Sequence, residues 1–206
     1  MFVITADQVD SRSGSDLVVG ALRDLAETIP APILAAERTV GDEFQLLLTD
    51  HAEALDVILR LTRSDHWSVG CGVGTVHLPL PNTIREASGP AFVAARTAVD
   101  RAKKRPTRFA LDGGANDVPT RDAEALVDLL LILRSRRSPE GWELDDLLAT
   151  GMSQADAASA LGITPQAVSL RARAAELRAD RLARKPLERI LQRLDTLEST
   201  ASGGHP

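Results

Sequence analysis

The stretch TVGDEFQLLL, residues 39–48, places three polar residues between two apolar runs. The runs ILAAERT (33–39) and FQLLLT (44–49) have the composition of strands, so the residues between them predict a hairpin. A hairpin tip in solvent requires only polar side chains. Two adjacent carboxylates, Asp42 and Glu43, are also the oxygen ligands that divalent metals bind. The rest of the chain must distinguish a polar turn from a metal site.

The composition narrows the class of protein. The chain has 206 residues, enough for one or two domains with a buried core. Its single cysteine, Cys71, excludes a disulfide framework and a cysteine-based zinc site, and the histidines show no metal-ligand spacing. No apolar run reaches the ~18 residues of a membrane span, and no basic leader precedes the first apolar run. We therefore expect a cytoplasmic protein that does not bind membranes.

Charge is distributed unevenly along the chain. Residues 1–112 contain 12 Lys/Arg against 15 Asp/Glu, whereas residues 153–193 contain 8 against 4. The positive excess near the C-terminus could face a polyanion, or it could be a solvated helix face.

The first half of the chain alternates strand and helix patterns. Strands are predicted at 2–7, 33–39, 44–49, 67–78 and 107–111, and helices at 16–29, 51–63 and 89–104. This order, β-α-β-β-α-β-α-β, contains the ferredoxin-like β-α-β-β-α-β pattern. In the strand at 67–78, Gly70, Gly72 and Gly74 share one face, where a backbone or a ligand can approach closely.

A composition break at DGGANDVPT (112–120) predicts a domain boundary. We assign residues 1–112 to a ligand-binding domain and 113–137 to a linker and connecting helix. Residues 138–199 form the predicted helix-turn-helix domain with its C-terminal helix, and 200–206 form a disordered tail.

Two apolar helices flank the predicted helix-turn-helix. In the helix at 121–137, the leucines could form a dimer seam or dock on the first domain; they are Leu126, Leu129, Leu130 and Leu133. The helix at 185–199 is the second candidate seam, with heptad-like spacing at Leu187, Ile190 or Leu191, and Leu194.

The segment SQADAASALGITPQAVSLRARAAELR, residues 153–178, has the pattern of a helix-turn-helix. Ser153 is a candidate N-cap, Ala158 is small where two helices would cross, and Gly162 suits the turn. Thr164 can cap the second helix, which Pro165 would begin. We expect Ile163 and Val168 to fill the core between the helices.

Polar residues at the caps and along the second helix are the candidate DNA-binding residues. Gln, Ser and Arg side chains can hydrogen-bond base edges or phosphates. The set is Ser153, Thr164, Gln166, Ser169, Arg171 and Arg173. In the second helix of helix-turn-helix motifs, the position of Arg171 is usually apolar. Leu170 or Ala172 must therefore pack in the core instead. The stretch SQADAASALGITPQAVS resembles the helix-turn-helix of bacterial regulators and sigma-factor-like domains; the alternative is a helical hairpin that binds no DNA.

The N-terminal motifs carry a second resemblance. An aspartate ends the first strand in ADQVDSR, GDEF lies at the hairpin, and VGCGVGTV alternates glycine before ASGPAFVAAR. In this order the motifs resemble the SatD family over roughly residues 1–111. They also resemble, more distantly, the palm-type domain of diguanylate cyclases and class III nucleotidyl cyclases.

The resemblance implies a ferredoxin-like, palm-type domain that binds a nucleotide through divalent metal. Asp7, Asp42 and Glu43 would hold Mg²⁺ or Mn²⁺. The ligand or phosphate would meet residues of the turns and of the glycine-rich strand: Ser11, Arg12, Gly41, Gly72 and Gly74. Arg96 and Lys103 are basic, but the sequence does not place their helix near the hairpin.

Together these patterns predict an α+β protein with a palm-type N-terminal domain and an all-α helix-turn-helix domain. We expect a homodimeric transcriptional regulator that binds double-stranded DNA and senses a nucleotide or cyclic nucleotide. One alternative is a metal-dependent nucleotidyl cyclase or related enzyme that carries a helix-turn-helix. Another is a module that contacts RNA polymerase rather than DNA.

Overall fold

The computed structural model describes residues 1–11, 14–29, 32–113 and 118–202. The chain divides into two compact units. The first contains Met1–Asp128 and the C-terminal residues from Leu187, and the second contains Leu129–Pro186. The structure is of the α+β class, with one five-stranded mixed sheet.

The sheet of the first unit has the strand order β2-β3-β1-β4-β5. The strands are β1 (Phe2–Gln8), β2 (Leu34–Arg38), β3 (Glu43–Leu48), β4 (Trp67–Val73) and β5 (Phe109–Asp112). Neighbours from β2 to β4 are antiparallel, and β5 is parallel to β4. All five predicted strands are present, but β4 ends at Val73 rather than at residue 78.

Three helices connect these strands: α1 (Val18–Thr28), α2 (His51–Leu61) and α3 (Pro90–Ala102). Asp50 caps α2 as expected, since its carboxylate accepts hydrogen bonds from the backbone N–H groups of Ala52 and Glu53. A short 3-10 helix, Ile84–Glu86, precedes α3.

Alternation along the strands separates an apolar face from a partly polar one. The side chains Phe2, Ile4 and Ala6 of β1 are fully buried. They pair across the sheet with Leu48, Leu46 and Phe44. Phe44 also meets Trp67 edge-on, with ring centroids 5.1 Å apart. The intervening residues of β1 include Thr5 and Asp7, which form the partly polar face.

Five further helices follow β5: α4 (Val118–Ser135), α5 (Pro139–Ala149), α6 (Gln154–Leu161), α7 (Pro165–Ala174) and α8 (Leu177–Ser202). The four α4 leucines that were predicted to form a dimer seam or to dock on the first domain differ in burial. Leu130 is buried, whereas Leu126 and Leu129 remain 43% and 63% exposed. Leu133 is half-buried, so Leu126 and Leu129 are the exposed members of the predicted set.

The C-terminal helix is longer than the predicted 185–199 segment and contains Pro186. Its leucines Leu187, Leu191 and Leu194 are buried within this single chain. The Met1 amino group donates to the Asp195 carboxylate. The prediction that this face forms a dimer seam is therefore not supported, because its apolar side chains already pack intramolecularly. Of the predicted tail, residues 203–206 lie outside the described residues.

Candidate functional site

Two acidic residues meet on the partly polar face of the sheet. Asp7 of β1 and Glu43 of β3 are directly opposed in the antiparallel pairing, so their side chains point to the same face. Glu43 thus belongs to the strand and is 6% exposed, while Asp42 stays in the turn and is partly buried.

Helix α3 and the residue at its C-terminal cap supply a cation to each of these carboxylates. Lys103 Nζ lies 2.7 Å from Asp7 Oδ2. Arg96 donates to Glu43 Oε2, and Thr39 Oγ1 donates to Glu43 Oε1 at 3.0 Å. The sequence did not place these basic residues near the hairpin, because the chain separation between Arg96 and Glu43 is 53 residues.

Neutral polar side chains extend this acid–base cluster. Thr5 and Ser68 are buried, with 0% and 1% exposure. Gln45 Nε2 donates to Thr5 Oγ1 at 3.0 Å. Ser68 is the β4 partner of Asp7, and Thr5 is flanked by Gln45 on β3. The face therefore offers hydroxyl, amide, carboxylate and cationic groups side by side.

Two of the three predicted metal ligands, Asp7 and Glu43, are paired with cations in this structure. Within the described part of the chain, no group of three His, Cys, Asp or Glu side chains could hold a metal ion. Asp7 and Glu43 are instead held by Lys103 and Arg96. A metal at these two carboxylates would compete with the α3 cations, so the metal site remains a prediction.

The glycines of β4 have a packing role. A Cβ added to Gly72 would lie 2.1 Å from Ala91 O and 2.3 Å from Ala95 N, both in the α3 backbone. A Cβ on Gly70 would lie 2.2 Å from Val99 N. The close approach that the sequence anticipated is therefore made by a helix backbone, which occupies the space that a ligand at Gly72 would need. Gly74 also lies against α3, 3.3 Å from Ala91 N by the same measure.

Gly41 forms the turn of the hairpin. Its φ of +61° is the left-handed conformation that glycine adopts without strain. Arg38 Nη1 donates to its carbonyl at 3.1 Å, and Arg38 Nη2 lies 2.5 Å from Asp16. The Arg38 hydrogen bond lowers the pKa of the Asp16 carboxyl. Of the two predicted phosphate contacts after β1, Ser11 is partly buried in a turn, and Arg12 lies outside the described residues.

The segment that was predicted to form a helix-turn-helix lies in the second unit and forms the helices α6 and α7. Ser153 and Asp156 form a reciprocal capping box at the start of α6. Gly162 ends α6 in the left-handed conformation, with φ 64° and ψ 30°. Thr164 Oγ1 accepts from Ala167 N at 3.2 Å and so caps α7, which begins at Pro165. The two caps and the turn glycine were all predicted from the sequence.

The core of this unit confirms the packing expected between the helices. Val168 is fully buried, and Ile163 packs against the same cluster. Ala172 packs there as well, whereas Leu170 is 61% exposed. Of these two residues, Ala172 therefore packs in the core in place of Arg171, and Leu170 does not. The whole buried cluster is Leu144, Ala157, Ala158, Val168, Ala175 and Leu177.

The polar face of α7 is partly free and partly engaged. Gln166, Ser169 and Arg173 are exposed. Ser169 Oγ donates to Gln154 Oε1 at 3.3 Å. Arg171 forms an ion pair with Glu143, with its Nη1 atom 3.3 Å from Glu143 Oε2. Of the predicted DNA-binding set, Ser153 and Thr164 act as caps, and the exposed three remain accessible to a partner.

A buried ionic cluster around Asp180 was not predicted from the sequence. Asp180 is 2% exposed and accepts hydrogen bonds from Arg134 at 2.5 Å, Arg137 at 2.8 Å and Arg184 at 3.1 Å. The guanidinium carbons of Arg134 and Arg137 lie 4.7 and 4.3 Å from the ring centroid of Trp142. Burial acts to raise the pKa of Asp180, but the arginines outweigh it and hold that pKa below its ordinary value.

Comparison with known proteins assigns no family. No family model, no curated protein and no solved structure matches this chain significantly. Among the described residues, no helix is both long and apolar enough to cross a membrane.

Proposed function

We propose that this chain is a DNA-binding transcriptional regulator whose N-terminal unit senses a nucleotide or related small ligand. The observation that carries the proposal is the α6–turn–α7 pair. Its two helices are capped at Ser153 and Thr164, joined through Gly162, and packed on a shared core. In helix-turn-helix proteins the second helix enters the major groove and presents its first residues to base edges.

The exposed residues of α7 have the chemistry that base readout needs. Gln166 can pair with adenine, Arg173 can reach guanine or phosphate, and Ser169 can serve either. A single helix-turn-helix seldom provides specific binding, so we propose a homodimer on paired half-sites. Leu126 and Leu129 are its candidate seam, since they are the leucines of α4 that stay exposed.

The test begins with selection of duplex DNA from a random library on the purified protein, followed by gel shift on the enriched duplex. Gln166→Ala with Arg173→Ala should abolish the shift. The matched control is Gln192→Ala with Arg193→Ala, which removes the same two residue types from an exposed part of α8. An unchanged shift in the α7 double variant, or a failure to enrich any duplex, would contradict the proposal.

For the first unit, we propose a ferredoxin-like, cyclase-related domain of the SatD type. The support is the strand order β2-β3-β1-β4 with antiparallel neighbours and helices α1 and α2 in the connections. The acid–base cluster consists of Asp7, Glu43, Arg96 and Lys103. Its charges are complementary to those of a metal–nucleotide ligand. Phosphates would suit Arg96 and Lys103, and Mg²⁺ or Mn²⁺ would suit Asp7 and Glu43.

Thermal-shift assays with ATP, GTP, cyclic nucleotides and dinucleotides, each with and without Mg²⁺ or Mn²⁺, test this ligand. We expect a metal-dependent shift with one nucleotide, lost in Asp7→Asn with Glu43→Gln. The control is Asp65→Asn with Glu27→Gln, which neutralises one aspartate and one glutamate that are exposed elsewhere. Shifts that are absent, or equal in both variants, would reject the site.

The opposed carboxylates Asp7 and Glu43 also favour a second candidate function, a metal-dependent nucleotidyl cyclase. Product formation from ATP or GTP, lost in Asp42→Ala, would support the enzyme over the sensor. A third possibility is contact with RNA polymerase. It would be favoured if the chain captured RNA polymerase in a pull-down but did not bind DNA.

A further inference from the structure

A groove of about 570 Å³ in the second unit has three arginines on its walls. Arg173 comes from α7, and Arg178 and Arg181 come from the first turns of α8. All three are exposed, and within the described residues their guanidinium groups show no hydrogen bond or ion pair. Leu148 and Leu177 form part of an apolar floor, and Glu176 is the one acidic residue of the lining.

The unpaired arginines of this unit are concentrated at the groove, because four of the five arginines outside it are engaged and only the exposed Arg136 shows no side-chain partner among the described residues. Arg134 and Arg137 bind Asp180, Arg184 binds the same carboxylate, and Arg171 approaches Glu143. The groove thus keeps a positive charge that the fold itself does not neutralise. A planar guanidinium binds phosphate through two parallel hydrogen bonds, so a row of them fits a phosphodiester chain.

The groove is continuous with the polar face of α7. Gln154 lines it and also accepts the hydrogen bond from Ser169, a residue of that face. When a recognition helix enters the major groove, the phosphate strands run along its two sides. An arginine-lined depression beside the helix is therefore placed to receive one of these strands, with deoxyribose against the apolar floor.

We infer that Arg178 and Arg181 bind the phosphate backbone of double-stranded DNA and position α7 on it. This inference rests on the proposed DNA-binding function and extends it to residues outside the helix-turn-helix. Backbone contacts of this kind fix register and contribute the salt-dependent part of the affinity, without reading sequence.

The experiment measures binding of the full chain to a fluorescein-labelled duplex of about 25 base pairs by anisotropy, at several KCl concentrations. Each phosphate contact contributes about −0.9 to the slope of log K against log salt. Arg178→Ala with Arg181→Ala should reduce the slope by about 1.8 and weaken binding by about 60-fold near 0.1 M salt. Arg178→Lys with Arg181→Lys should retain most of the slope.

The matched control is Arg121→Ala with Arg136→Ala, which removes the same charge from two exposed sites outside the groove. If the groove variant keeps the slope of this control while wild type binds, the inference fails and the proposed function stands. If wild type binds no duplex at any salt concentration, both fail. If labelled poly-glutamate binds in place of DNA and is lost in the groove variant, the occupant is an acidic peptide and the inference is overturned.

Discussion

Replacing Asp180 with asparagine should destabilise the second unit far more than neutralising a surface acid. Asp180 accepts three charge-assisted hydrogen bonds, and one of its partners, Arg137, has a fully buried side chain. Removing the negative charge leaves the buried Arg137 guanidinium with Asp145 as its one remaining carboxylate partner among the described residues, beside the Ala175 carbonyl. Breaking a buried pair in this way costs about 3–5 kcal/mol in the free energy of unfolding.

The assay is urea unfolding followed by tryptophan fluorescence. Trp142 stacks beneath Arg134 and Arg137, so it reports on this cluster once Trp67→Phe removes the other tryptophan. The control in the same background is Glu143→Gln, which neutralises a 57%-exposed carboxylate 3.3 Å from Arg171. A surface pair of this type contributes at most about 1 kcal/mol.

The effect of Asp180→Asn should also depend on pH, with a sign set by the lowered pKa of Asp180. A carboxyl whose folded pKa is depressed stabilises the native state above its unfolded pKa, about 4, and loses this as pH falls through the folded pKa. The difference between wild type and variant should therefore be constant from about pH 8 to 5 and shrink below about pH 4. A loss under about 1 kcal/mol at neutral pH, equal to that of Glu143→Gln, would refute the reasoning.

Two predictions concern the β-sheet of the first unit. Gly72→Ala should destabilise that unit by about 3 kcal/mol or prevent its folding, because a Cβ would lie 2.1 Å from Ala91 O. Gly20→Ala, in the open space on α1, should be neutral or stabilising, and urea unfolding that ranks the two variants alike would contradict the packing argument. Burial raises the pKa of the Cys71 thiol to about 12, so the native protein should resist iodoacetamide at pH 8.5 and react only when unfolded. Alkylation at equal rates with and without urea, followed by mass spectrometry, would contradict that burial.

Features encoded within a few residues of each other were predictable. The alternation of β1 and β3, the Asp50 cap of α2 and the Ser153 and Thr164 caps depend on neighbouring side chains and backbone groups. The left-handed conformation of Gly162 was predictable for the same reason, because the local turn at the end of α6 requires it. The order of strands and helices followed from these signals, and element ends differed by a few residues.

The partners of the charged residues were not predictable. The sequence predicts Glu43 as a hairpin carboxylate, yet it pairs with Arg96, 53 residues away. Asp180 pairs with Arg134, 46 residues away. Gly72 reads as a place for a ligand, yet α3 fills it. Capping and turn formation are determined by the chain's own neighbouring residues, so the sequence alone determined them. Which cation meets which carboxylate depends on how a helix lies on a sheet or on other helices, and only the packing of the whole unit decides that.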